Sequence, residues 1–197
     1  MGIAHLARAQ VRLWLVAGSP ATGKTTLAGA VADRVGGVLL SSDRVRKETF
    51  GLDPTQRHGT HYRRGIYTRE ATKQKYWHLA ERAGSALTMG KCVVVDASFS
   101  TTAHRQVLRD TADRSRARLV EVRCQPPHGV VAAGLRLRST SPDLYTDAGP
   151  SVGERLAHDS DPSPEAHVID TSEALSASVT GVCDLWEPEW CQPGRRV

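Results

Sequence analysis

The chain has 197 residues, 40% hydrophobic and 24% charged, with a net charge of +5 and a pI near 9.3. That is ordinary globular composition, long enough for one domain with a substantial core. The positive charge suits an anionic ligand without selecting nucleic acid over nucleotide. No apolar run approaches a membrane span and no leader-like apolar core opens the chain, so a cytoplasmic protein is expected. The four cysteines, Cys92, Cys124, Cys183 and Cys191, contain no C-x-x-C pair. A zinc site is therefore not expected, and reduced thiols are the default, with a Cys183–Cys191 bridge as the alternative.

In chain order, Val11 to Ala17 is a short apolar run that reads as a first strand, and Thr26 to Asp33 follows with helical spacing. Between them Gly18, Ser19, Pro20, Ala21, Thr22, Gly23, Lys24 and Thr25 match G-x-x-x-x-G-K-[ST] without a mismatch. A strand, a glycine-rich turn and a helix N-terminus are what phosphate binding needs, because free N–H groups and the helix dipole attract the anion. Lys24 would reach the β- and γ-phosphates and the Thr25 hydroxyl a Mg²⁺ ion, with Thr26 completing the nucleotide contacts. The motif implies a nucleoside triphosphate.

Val38 to Leu40 reads as a second strand ending at Ser41, Ser42 and Asp43. Asp43 and Arg46 share one face if a helix starts here. Asp43 is then either a carboxylate that orients and deprotonates an acceptor hydroxyl or a plain helix cap. Arg46 would hold an anionic acceptor, while Arg44 is expected to be exposed or paired. The segment from Asp53 to Arg69, with Arg57, His58, His61, Tyr62, Arg63 and Arg64, would cover an acceptor pocket or be a solvated basic loop. Thr68 to Met89 places Tyr76, Leu79, Ala80, Ala83 and Leu87 on one helical face.

Cys92 to Asp96 is a buried parallel-type strand. Asp96 either holds the Mg²⁺ shell or positions the acceptor, as strand-end carboxylates do, or merely starts a turn. Ser98, Thr101 and Thr102 would contact substrate or cap the next helix. Thr102 to Arg116 reads as a basic helix, with Arg105, Arg109, Arg114, Arg116 and Arg118 as its outer face. Arg118 to Cys124 is a fourth strand, and 128–138 is helical. A turn-rich stretch follows, suiting a lid over about 136–158 from which Arg136 or Arg138 would close on the transferring phosphoryl group. A solvated helix face is the alternative. Arg155 is a lesser candidate for nucleotide contact. His167 to Asp170 is a last strand and Ser172 to Val182 a last helix, and the tail 183–197, with Trp186 and Trp190, is irregular.

Strands alternating with helices imply an α/β fold with a five-stranded, parallel, doubly wound sheet. Ligands of such sheets lie off the C-terminal strand ends. Gly18, Asp43 and Asp96 each follow a strand, so all three are expected on one rim.

The P-loop, the stretch from Ser41 to Arg46, the segment Gly65 to Thr68 leading a long helix, and Val93 to Ser98 together resemble the P-loop kinase-like "AAA-type" proteins, which are related to polynucleotide kinases and zeta-toxin-type kinases. The likeness spans Val11 to about Thr171. It implies a P-loop NTPase domain over 1–182 with a small lid. Many such domains are fused behind an aminoglycoside-phosphotransferase-like domain, and this chain reads as a stand-alone copy. In polynucleotide 5′-kinases the Asp after strand two is the general base and an Arg three residues later binds acceptor phosphate, a spacing that Asp43 and Arg46 match. The chain shows no phosphatase or ligase module and no aromatic-and-basic nucleic-acid platform. The expectation is an ATP- and Mg²⁺-dependent kinase acting on a small-molecule hydroxyl, such as a sugar, nucleoside or antibiotic-like metabolite. The rivals are a polynucleotide 5′-hydroxyl kinase and an ATPase switch that docks a protein partner through the basic loop.

Overall fold

The computed structural model describes residues 10–49, 51, 68–127 and 160–185. Ten elements follow one another: β1 (Arg12–Ala17), α1 (Lys24–Val35), β2 (Val38–Ser41), α2 (Ser42–Thr49), α3 (Arg69–Thr88), β3 (Val93–Asp96), α4 (Thr102–Arg114), β4 (Arg118–Cys124), β5 (His167–Ile169) and α5 (Leu175–Asp184). The strands form one sheet in the order β2-β3-β1-β4-β5, and every pairing is parallel. Among the described residues the expected strands and helices stand, with ends shifted by a few residues, and the helix expected over 128–138 lies outside them. The last helix starts at Leu175 rather than Ser172 and runs to Asp184.

Side-chain alternation along β1 explains why the sheet is covered on both faces. Leu13 and Leu15 join Val93, Val95, Tyr76, Leu79, Ala83 and Leu108 in one core layer, under α3 and α4. Trp14 and Val16 point the other way, onto Leu27, Val31, Val120, Val122, Val179 and Val182, under α1 and α5. A period of two sends successive residues to opposite faces, so a strand apolar throughout must be buried twice. The central strands β1 and β3 fit this, with Leu13, Trp14, Val16, Val93, Val94 and Val95 at zero exposure. Each large side chain so buried contributes on the order of 1.5–3 kcal/mol.

The register fixes the functional rim. Val16 lies opposite Asp96 across β1–β3, and Ser41 lies opposite Asp96 across β2–β3. The chain leaves β1 into the glycine loop and β2 directly into α2, so Gly18, Asp43 and Asp96 emerge at one end of the sheet. None of the helices among the described residues is long and apolar enough to cross a membrane.

Candidate functional site

The loop from Gly18 to Gly23 is shaped by close approaches. A Cβ on Gly18 would meet the Thr22 Oγ1 at 2.5 Å and the Cys124 Cβ at 3.3 Å. Only glycine lets the turn pass under β4. Gly23 is left-handed (φ 78°) at the N-cap of α1, and its missing Cβ leaves room for Thr171, whose Cβ would lie 3.3 Å away. Ala21 is also left-handed at φ 68°, a conformation that costs a non-glycine residue energy and marks a loop held by its surroundings. Two hydroxyls do the holding. Thr22 Oγ1 donates to the Ser19 carbonyl at 2.8 Å, and Thr171 Oγ1, just after β5, donates to the Thr22 carbonyl. Helix α1 has no side-chain cap and no acid in its first turn, so its positive end faces the loop uncompensated, ready for phosphate.

Asp43 lies in the first turn of α2, placed there by β2 running without a linker into the helix. Arg46 Nη1 is 3.8 Å from Asp43 Oδ1, as the i, i+3 spacing implies, and Lys47 Nζ is 3.4 Å from Oδ2. Lys47 is almost fully buried and was not singled out from the sequence. Arg44, by contrast, is exposed and paired with Glu48 at 3.0 Å.

Asp96 ends β3 with 4% exposure, and its Oδ1 has no hydrogen-bond partner among the described residues. A buried carboxylate oxygen left bare is costly, so this atom calls for a cation or a bound water. Among the described residues no group of three or more His, Cys, Asp or Glu side chains stands ready as a metal cage. The donors present, a carboxylate and the Thr25 hydroxyl, are hard oxygens. They suit a Mg²⁺ ion that draws its other ligands from phosphates and water.

Beyond Asp96 the chain turns sharply, with Phe99 left-handed at φ 47°. Its N–H donates to the Tyr76 hydroxyl at 3.0 Å, and the same hydroxyl lies 3.4 Å from Ser98 Oγ. Burial holds the Tyr76 phenol above its ordinary pKa, so it stays protonated. Ser98 thereby joins Gly18, Ser19, Arg105, Arg123 and Asp161 around one open cleft beside the glycine loop. Thr101 takes the capping role, accepting from the His104 N–H at 3.3 Å.

Arg105 corrects the expectation of an arginine-covered outer helix face. It is 4% exposed and donates to the carbonyls of Phe99 at 2.9 Å and Pro162 at 2.7 Å, and to Thr102 Oγ1 at 3.0 Å. The spacing 105, 108, 112 puts it on the same face of α4 as Leu108 and Ala112, both buried, and that pattern was available in the sequence. Arg109 is also bound rather than free on the surface, gripping Glu121 through two nitrogens and reaching Glu165 at 3.3 Å. Arg118 belongs to β4. Asp161 locks the same corner: its Oδ2 accepts from the Thr102 N–H at 2.6 Å, and its own N–H donates to Ser100 at 2.8 Å.

Charge coupling ties these groups into one centre. Burial pushes the Cys124 thiol up to about 12, opposed by Lys24 and assisted by Asp96. Cys124 is therefore an inert, protonated filler beneath the loop. Lys75, another residue the sequence reading passed over, feels Arg46, Asp43 and Lys24. Its position was legible in principle, since 75, 79 and 83 are spaced by four along the core face of α3. Arg63, Arg64, Arg136, Arg138 and Arg155 lie outside the described residues, as do the rest of the basic loop, the lid, Cys191 and the tail tryptophans.

A family model described as an AAA domain matches residues 13–176. The chain belongs to that AAA-domain family. The solved structures that it resembles include kinases. A sugar kinase from Janibacter sp. HTCC2649 aligns at 20% identity and a TM-score of 0.65, over 88% of this chain and 93% of that one. The APS kinase of Mycobacterium tuberculosis, in complex with AMPPNP and APS, aligns at 15% identity and 0.66, over 91% and 99%. A gluconokinase from Sinorhizobium meliloti 1021 aligns at 17% and 0.61, over 89% and 93%. At these identities the likeness establishes the fold, an α/β P-loop NTPase. Uncharacterized proteins of Mycobacterium tuberculosis and Mycobacterium bovis are 30% identical over 182 residues, 92% of this AAA-domain chain. The chain spans only 36% of their length.

Proposed function

We propose that the protein is an ATP- and Mg²⁺-dependent kinase that transfers the γ-phosphate to a hydroxyl of a small molecule, such as a sugar, a nucleoside or an antibiotic-like metabolite. The observation that carries this reading is the Asp43 carboxylate, flanked by Arg46 and Lys47 at 3.8 and 3.4 Å, on the rim that the glycine loop and Asp96 share. A nucleotide switch needs the loop and the strand-end acid. A second carboxylate after β2, with cations around it, is what acceptor activation adds. The kinases among the similar folds support the same reading.

In this account the loop amides and Lys24 cradle the β- and γ-phosphates, and the uncapped end of α1 draws negative charge toward them. Thr25 and Asp96 would hold a Mg²⁺ ion, which would neutralise charge on the phosphates when bound. Asp43 accepts the proton of the acceptor hydroxyl as its oxygen bonds to the γ-phosphorus. The bond from the γ-phosphorus to the β,γ-bridging oxygen breaks, and ADP leaves. Arg46 and Lys47 fix the carboxylate's direction, and Ser98 faces the acceptor across the cleft. Arg136 or Arg138 from the lid would stabilise the transition state, Arg155 would touch the nucleotide, and Arg63 and Arg64 would border the acceptor.

The test is transfer of label from γ-labelled ATP into two pools. One holds sugars, nucleosides and aminoglycosides, and the other holds RNA and DNA oligonucleotides with 5′-hydroxyl ends. Label on a small molecule that depends on Asp43 is the expected result. Label confined to oligonucleotides would make the protein a polynucleotide kinase, and free phosphate alone would favour the ATPase switch.

A further inference from the structure

Strand β4 carries a charged side chain that phosphoryl transfer, as described so far, does not use. Alternation along this strand sends Val120, Val122 and Cys124 to the α1 and α5 face and Leu119, Glu121 and Arg123 to the α3 and α4 face. On that second face Leu119 packs on the core, and Glu121 is gripped by Arg109. Arg123 is half-buried and has no such match. Among the described residues it makes neither a hydrogen bond nor an ion pair. A guanidinium kept partly out of water ordinarily meets a carboxylate or a phosphate.

Its neighbours say which. Arg123 pairs in register with Ala17, the residue before Gly18. Beside it, Cys124 lies so close under the loop that a Cβ on Gly18 would meet both its Cβ and its carbonyl oxygen at 3.3 Å. The Cys124 thiol also feels Lys24 and Asp96. Strand β4 thus ends beneath the phosphate loop, with Cys124 on the α1 side and Arg123 on the other. There Arg123 lines the open cleft together with Gly18, Ser19 and Ser98. The opposite wall is held in place, because the Phe99 N–H donates to the Tyr76 hydroxyl and Arg105 donates to the Phe99 and Pro162 carbonyls. Asp161, the carboxylate among the described lining residues, already accepts from the Thr102 N–H at 2.6 Å. Hydroxyls and a guanidinium next to a phosphate loop match phosphoryl oxygens.

We infer that Arg123 is a catalytic residue that holds a non-bridging oxygen of the γ-phosphoryl group, from the sheet face opposite α1. The inference rests on the triphosphate part of the kinase reading and not on the acceptor. As the attacking oxygen bonds to the γ-phosphorus and the bond to the β,γ-bridging oxygen breaks, Arg123 keeps its proton and its charge. A cation carried on a central sheet is preorganised, so it stabilises the charge that shifts during transfer without rearranging.

The test compares nucleotides with and without the γ-phosphate. Mg²⁺-AMPPNP and Mg²⁺-ADP are titrated calorimetrically into wild type, Arg123→Met and Arg123→Lys, with Arg123→Gln as a second neutral variant if Arg123→Met does not fold. In the neutral variants AMPPNP should bind at least about fivefold more weakly, with ADP unchanged within about twofold, and Arg123→Lys should recover part of the loss. Release of labelled phosphate from γ-labelled ATP to water, with no acceptor added, should slow at least about tenfold. Unchanged AMPPNP affinity together with unchanged phosphate release overturns the inference. Equal weakening of ADP and AMPPNP also overturns it, since Arg123 would then only support the loop. A change confined to the KM of a labelled acceptor moves Arg123 to the acceptor and overturns it as well. Arg123-dependent AMPPNP binding and phosphate release with no labelled acceptor in any pool keeps the γ-phosphoryl contact and discards the kinase.

Discussion

The two halves of the rim are built on different principles. The nucleotide half is made of backbone: Gly18 and Gly23 permit the loop, and α1 supplies amides and a dipole from consecutive residues. The half proposed to take the acceptor is made of side chains, with Asp43, Arg46 and Lys47 from α2, Lys75 and Tyr76 from α3, and Ser98 from the loop after β3. A backbone cradle accepts any polyphosphate and is portable among chemistries. A cluster of buried charges is costly to assemble and is specific to what balances it.

The largest expected effect breaks the backbone half at its one essential side chain. Lys24→Ala should lower triphosphate-dependent turnover by roughly 10³ or more, measured as label transfer under saturating ATP. Next comes the acceptor half. Asp43→Asn should keep AMPPNP affinity while lowering transfer by roughly two orders of magnitude, and unchanged turnover would remove Asp43 from the chemistry. A subtler change tests whether the cradle depends on β5. Thr171→Val keeps the shape but loses the hydrogen bond to the Thr22 carbonyl, so AMPPNP should bind a few fold more weakly, about 0.5–1.5 kcal/mol.

The last effect is a pH slope in stability. His104 has a folded pKa of about 4 against an ordinary 6.5, lowered by burial, Lys75 and Arg105 and raised by Asp161. Between those values the unfolded chain takes a proton that the folded one refuses, so stability falls as pH drops from about 6.5 through 4 and is unaffected above. In thermal melts from pH 7 to 4, His104→Gln should fall less steeply than the wild type.

Most of the fold was legible because its signals are local. A strand apolar at every position, as in β3, has to be covered on both faces, and the glycine motif needs only its neighbours to be recognised. The Thr68–Met89 periodicity was read correctly for the same reason, since Tyr76, Leu79, Ala80, Ala83 and Leu87 are all buried. Arg105 and Lys75 were missed because charge was weighed as a sign of solvent. Their helical phase already placed both on core faces, but what faces them comes from elsewhere: Phe99 and Pro162 for Arg105, and α2 for Lys75.

The sequence by itself determined the alternation of strands and helices, the phosphate loop, and the presence of acids after β2 and β3. Each depends on residues within one or two turns of chain. Only the tertiary structure decided the strand order that sets Asp96 between β1 and β2, the Thr171 brace under the loop, and the crowding of Lys47 and Lys75 around Asp43. Those depend on which distant elements share an edge or a face. Burial and Coulomb energy are properties of that shared space, and periodicity along the chain does not carry them.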